Sequence, residues 1–142
     1  MTLFISTLIA IMVCLLLVVC WTDLRYRLIS NRVIMALLLV IIPFSYLMYG
    51  KLSWLPAVLC LVIGFVLFLL NVIGAGDVKL LAVLMLAVPS SFAIFFLFLT
   101  ACSGLLIIII GWLFYRQTIR EKGLPYGIAI STGFLTTLLL FN

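Results

Sequence analysis

Histidine is absent from the 142 residues, and charge is scarce: eight Lys and Arg against three carboxylates, 8% of the chain together. Without an imidazole there is no Ser-His-Asp triad, no Cys-His pair and no His-ligated metal site. So little charge cannot coat a water-facing surface, since soluble domains carry about 25% charged residues. That excludes a free cytoplasmic enzyme and a nucleic-acid reader. What fills the chain is apolar: AVILMFWYC residues make up 69% of it, where soluble domains reach about 45–50% even with glycine counted. Such a composition belongs to an integral membrane protein.

A membrane-crossing helix needs roughly 20 mostly apolar residues. The charge-free runs are 1–22, 33–50, 52–76, 80–115 and 123–142. All but 80–115 have the length of one span. That longer run divides at Pro89-Ser90-Ser91, because proline cannot continue a helix and disfavours helix in the residue before it. The division predicts a short helix near 78–88 and a long one near 91–115. The expected fold is therefore all-α: a polytopic membrane protein of about six transmembrane helices, one domain over 1–142 and no soluble domain.

Lys and Arg collect on the cytoplasmic side of a bilayer. Six crossings place Arg25, Arg27, Arg32, Lys79, Arg116, Arg120 and Lys122 on one side and leave only Lys51 opposite. If 78–88 did not cross, the basic residues would divide evenly. Six crossings put both termini outside and the loops around 21–32, 73–79 and 116–124 in the cytoplasm. The short helix strains this scheme, since eleven residues at about 1.5 Å each fall short of a hydrocarbon core of about 30 Å. The first positive charge is Arg25, so the opening helix is expected to be a retained span rather than a cleaved signal. Cys14, Cys20, Cys60 and Cys102 lie in apolar stretches with no C-x-x-C pair. They are expected to pack as small hydrophobes.

Two of the three acids stand at span ends on the same expected face. Asp23 follows the first helix, and Asp77 closes Gly74-Ala75-Gly76-Asp77 ahead of the fourth. An intramembrane aspartate costs about 2.5–3.5 kcal/mol at a helix centre on insertion scales, so it calls for a function or a partner. Helix capping would suit Asp77, and Arg25 or Arg27 could balance Asp23. Gly74 and Gly76 permit positive φ and close backbone approach, which suits a wet turn that presents a carboxylate. Two facing aspartates can divide peptide hydrolysis: an ionised one deprotonates water, and a protonated one hydrogen-bonds the scissile carbonyl. Like charges in contact do not both ionise cheaply, so the pair would share a proton. The N-terminus of the fourth helix favours charge on Asp77, which suggests Asp77 as base and Asp23 as acid.

At these residues the sequence resembles the type IV prepilin peptidases, GxGD aspartyl proteases of the membrane. It is most similar to their short TadV or CpaA branch, which serves Flp-type (tight-adherence) pili. The likeness rests on Gly74-Ala75-Gly76-Asp77-Val78-Lys79, on Asp23-Leu24-Arg25 with Ile29 and Asn31, and on Pro125-Tyr126-Gly127. The family usually has Pro before that Asn; here the position is Ser30, and Ser30 and Asn31 can cap the second helix instead. The large bifunctional members carry a cysteine-paired cytoplasmic insert and methylate their product, and this chain has no room for that insert.

The resemblance implies an aspartic endopeptidase of the bacterial inner membrane that needs no cofactor and no metal. Asp23 and Asp77 would be catalytic, and Gly74, Gly76 and Lys79 would form an active-site loop. Pro125, Tyr126 and Gly127 would line a substrate cleft. Lys79 would stabilise an ionised carboxylate or touch substrate, although a basic residue at the membrane boundary needs no such role. Partners would be the lipid bilayer, pilus-assembly machinery, and prepilins or pseudopilins cut after a glycine at the cytoplasmic edge; nucleic acid would not be one. The alternatives are a small proton- or cation-coupled transporter component using the same two aspartates, and a non-catalytic secretion-system subunit.

Overall fold

In a bilayer every backbone N–H and C=O must find a partner inside the chain, and a helix supplies one for each within its own segment. The apolar runs accordingly fold as helices in the computed structural model, which describes residues 1–141. In chain order they are α1 (Thr2–Tyr26), α2 (Asn31–Tyr49), α3 (Trp54–Leu69), α4 (Ala75–Met85) and α5 (Ala93–Phe114). A short α6 (Arg116–Lys122) then leads into α7 (Tyr126–Phe141), the two being bent by 105°. No strand occurs among the described residues. Three stretches are long and apolar enough to cross a membrane by themselves: Thr2–Tyr26, Asn31–Tyr49 and Ser90–Phe114. Taken as one bent span, α6 and α7 make a fourth. The chain is an all-α, multi-pass membrane protein.

The breaks between helices have local causes. Arg27 closes α1 in the left-handed conformation (φ 54°), its N–H donating to the Asp23 carbonyl at 3.0 Å. The Ser30 hydroxyl accepts from the Arg32 N–H at 3.3 Å and starts α2, so Ser30 does replace the proline usual at that position. Gly50, at φ 67°, ends α2. Pro89 ends the α4 segment, as the sequence suggested, and is followed by a 3-10 turn (Ser90–Phe92) into α5.

Contacts between the helix ends define two faces of the bundle. At one, Lys79 of α4 reaches Asn31 of α2, and Asp23 of α1 reaches Gly127 of α7. At the other, the Ser45 hydroxyl of α2 donates to the carbonyls of Lys51 and Leu86, at 2.8 and 3.1 Å. There too Phe92 stacks on Phe141 with ring centroids 4.1 Å apart. Successive long helices therefore alternate in direction, with α4 running the same way as α2. The shortness of α4 is met in two ways. Tight bonds from Leu86, Ala87 and Val88 to the carbonyls three residues back continue its winding to Val88. The α2–α3 connection then folds over its end, where Ser45 satisfies the buried Leu86 carbonyl.

Four helices, α1, α2, α4 and α7, each pack on the next to close a ring. Leu16, Leu37, Ile41, Leu80, Leu84 and Phe134 fill it and are almost wholly buried. α3 leans on the outside of α4, and α5 on the outside of α7. Small residues set both approaches: a Cβ on Gly64 would come within 2.6 Å of the Val78 side chain, and one on Gly133 within 2.7 Å of the Thr100 Cα.

Candidate functional site

Asp23 and Asp77 lie at the same end of the bundle, close enough for the charge of one to act on the other. Asp23 does not follow α1 but belongs to its last turn, because the helix ends only at Arg27. Its position on the ring-facing side of α1, in register with Leu8, Met12, Leu16 and Val19, buries it. There its Oδ2 accepts a hydrogen bond from the Gly127 N–H at 2.8 Å. That N–H belongs to the first turn of α7 and has no partner within the helix. Asp23 thus caps the N-terminus of another helix from outside it.

Asp77 stands in the first turn of its own helix. Gly74 is the N-cap of α4, so Asp77 is the third helical residue rather than the cap. Its carboxylate folds back toward Gly74, the position taken by the reciprocal half of a capping box. The expectation that helix polarity would single out Asp77 as the base is therefore lost. Both carboxylates sit at helix N-termini, so that effect does not tell them apart.

Of the two properties that Gly74 and Gly76 permit, positive φ and close approach, the structure uses the second: the positive-φ glycines among the described residues are Gly50 and Gly123. Of the expected loop of Gly74, Gly76 and Lys79, only Gly74 lies outside the helix. Both glycines are needed for space. A Cβ on Gly74 would stand 3.1 Å from Asp77 Oδ2, and one on Gly76 the same distance from the Ile29 Cβ. Lys79 does not turn to Asp77, since residues two apart on a helix face different ways. Its Nζ donates to Asn31 Oδ1 at 3.3 Å. The Ile29–Gly76 and Asn31–Lys79 contacts tie the α1–α2 turn to the head of α4. Sequence reading placed all four residues in motifs but could not pair them.

The Pro125-Tyr126-Gly127 segment divides its tasks. Pro125 is buried just ahead of α7. Tyr126 lines the same cavity as Asp77. Gly127 supplies the N–H to Asp23 and the room beside it, since a Cβ there would lie 2.8 Å from Asp23 Oδ2. Of the basic residues near Asp23, Arg27 is close enough for its charge to act on the carboxylate, whereas Arg25 is turned elsewhere. Arg25 lies over the Trp21 and Tyr26 rings, at 6.0 and 5.7 Å. Arg27 has Nε and Nη1 buried without a hydrogen-bond partner among the described residues. Glu121 is exposed on α6.

The cavity beside Asp77 has a volume of about 490 Å³ and lies between α3 and α5, with α4 and α7 as its floor. Asp77 is the only charged residue in a lining that is apolar apart from Thr100 and Tyr126. No group of three or more metal-ligating side chains occurs among the described residues. Residues 10–109, most of the chain, match the model of the type IV leader peptidase family. No curated protein and no solved structure matches it.

Proposed function

Since the chain belongs to the type IV leader peptidase family, we propose that it is a membrane aspartic endopeptidase of the short TadV or CpaA type. It removes the basic leader from Flp-type prepilins and pseudopilins at the cytoplasmic face of the inner membrane. Asp23 and Asp77 carry the reaction. The observation that supports this most is their convergence from α1 and α4 at one end of the bundle, Asp23 held by the Gly127 N–H and Asp77 lining an apolar cavity.

The pair shares one proton. The ionised carboxylate takes a proton from water as the water oxygen attacks the scissile carbonyl carbon. The protonated one donates a hydrogen bond to the carbonyl oxygen, where negative charge grows. When the tetrahedral adduct collapses, the C–N bond breaks, and the departing amine takes a proton from the dyad. Leader carboxylic acid and pilin amine leave, and the dyad regains its single proton. The seven basic residues at this end of the bundle are consistent with a cytoplasmic location for it. A transporter finds less support, because both carboxylates stand at one end of the bundle rather than at its middle.

The direct test is co-expression with Flp-type prepilins, reading the mass lost from the pilin. A leader-length loss with the wild-type chain and none with Asp77→Asn is the expected result. Maturation at the wild-type rate by a folded Asp77→Asn variant would overturn the assignment.

A further inference from the structure

α3 packs on α4 and α5 on α7, which leaves a lipid-facing gap between α3 and α5. It runs from Asp77, Tyr126 and Ile108 at the head to Cys60 and Leu97 at the foot. Along α5 it extends from Leu97 to Ile108, about 16 Å at 1.5 Å per residue, or roughly three helical turns. Its floor and rim include Ala101, Gly104 and Ala129, and small residues allow two helices in lipid to bring their backbones close. A Cβ on Gly104 would meet Ala129 at 3.6 Å, ordinary contact, so packing of α5 on α7 does not require that glycine.

We propose that this groove receives the apolar helix of the prepilin, with the scissile bond at Asp77 and the helix body running toward Cys60. The inference rests on the proposed function above and adds where the substrate lies and in which direction. The resemblance implies a substrate with a short basic leader ahead of an apolar helix, the same order as the groove: a carboxylate at the head, then about three turns of hydrocarbon. The head lies at the end where the basic residues gather and the foot points into the bundle's depth. Only a helix that begins at the cut bond and descends can use both. About ten residues past the bond, at 1.5 Å each, should bring the substrate helix to the level of Cys60.

Two measurements on the full-length protein in membranes test this. In the first, a benzoylphenylalanine probe is placed at successive positions of the pilin helix, and adducts on the inactive Asp77→Asn chain are mapped by mass spectrometry. Positions about ten residues past the bond should label the peptides that carry Cys60 and Leu97, and positions near the bond those that carry Ile108 and Tyr126, with spacing set by ~1.5 Å per residue. Adducts concentrated at Leu106 and Ile110, on the far side of α5, or in reversed order, would overturn the proposal. In the second, Ala101→Trp fills the groove and Leu106→Trp adds the same bulk outside it. Ala101→Trp should lower kcat/KM for prepilin at least tenfold, through KM, and Leu106→Trp should leave it near wild type. Wild-type processing by Ala101→Trp would mean that a lipid chain, not the substrate, occupies the groove. If the wild-type chain itself cut no prepilin, the proposed function would fail and the groove assignment with it. Cleavage by the wild type with adducts elsewhere would overturn the groove alone.

Discussion

Gly127 has one hydrogen where any other residue has a side chain, and that space belongs to Asp23. A Cβ would stand 2.8 Å from Asp23 Oδ2, closer than real contacts allow. The carboxylate would swing away while the helices stayed in place. A displacement of about 1 Å in a catalytic group can cost roughly 10²-fold. Gly127→Ala should therefore express and fold yet lose about 10²-fold in kcat, measured on purified prepilin. Asp23→Asn and Asp77→Asn keep size, and the first can still accept from Gly127, so both should fold and neither should cleave. Because the two act jointly, the double variant should be scarcely slower than either single one; strictly multiplicative losses would argue for separate roles. Asp→Glu at either position should also fail, since one methylene exceeds the roughly 0.5 Å a catalytic geometry tolerates. Glu121→Gln should cleave normally, because Glu121 is exposed on α6.

Among the elements, α5 owes its place to a gap in α7. Gly133 lies against the Thr100 backbone, and a Cβ would come within 2.8 Å of the Thr100 nitrogen. That neighbour is main chain and cannot turn aside. Gly133→Ala should push α5 from α7 at a cost of about 1–3 kcal/mol, seen as a lower Tm in detergent. A Tm equal to wild type would show that the two helices do not pack as described.

Such contacts also mark what the sequence could and could not reveal. Charge-free runs and Pro89 locate the helices, because apolar length and the lost N–H of proline are properties of the chain itself. Asp23 and Asp77 stand out because acids are so few. The end of α1 was missed by several residues, since Asp23 and Arg25 are charged yet helical, and charge marks a membrane boundary rather than a helix boundary. Gly74 and Gly76 permit both backbone freedom and close approach, and the sequence does not show that the approach is to Asp77 and Ile29. Asn31–Lys79 and Asp23–Gly127 join residues 48 and 104 positions apart. No local pattern encodes such pairs.

For the molecule as a whole, seven basic residues gather at the aspartate end, with Lys51 opposite. A reporter fused after the last residue should be periplasmic, and one at Glu121 cytoplasmic. A cytoplasmic C-terminus would separate α7 from the side on which Asp23 needs it. The connections at the aspartate end are short, the longest being the α5–α7 segment that holds α6. None can enclose a methyl-donor pocket of about 300–1,000 Å³. Pilin processed by this protein alone should carry a free N-terminal amine by mass spectrometry.

The arrangement of four helices in a closed ring with two outside has a mechanical consequence. Asp23, Asp77 and the Gly127 N–H belong to α1, α4 and α7, while the groove's two walls are the outer helices. α3 can tilt on α4, and α5 on α7, without any bond to Asp23 or Asp77 being stretched. On the proposed function, admission and chemistry would then fall to different parts of the protein. A bulky helix arriving from the lipid would pry the walls apart without disturbing the helices that carry the carboxylates, as a door swings without moving the frame that holds its lock.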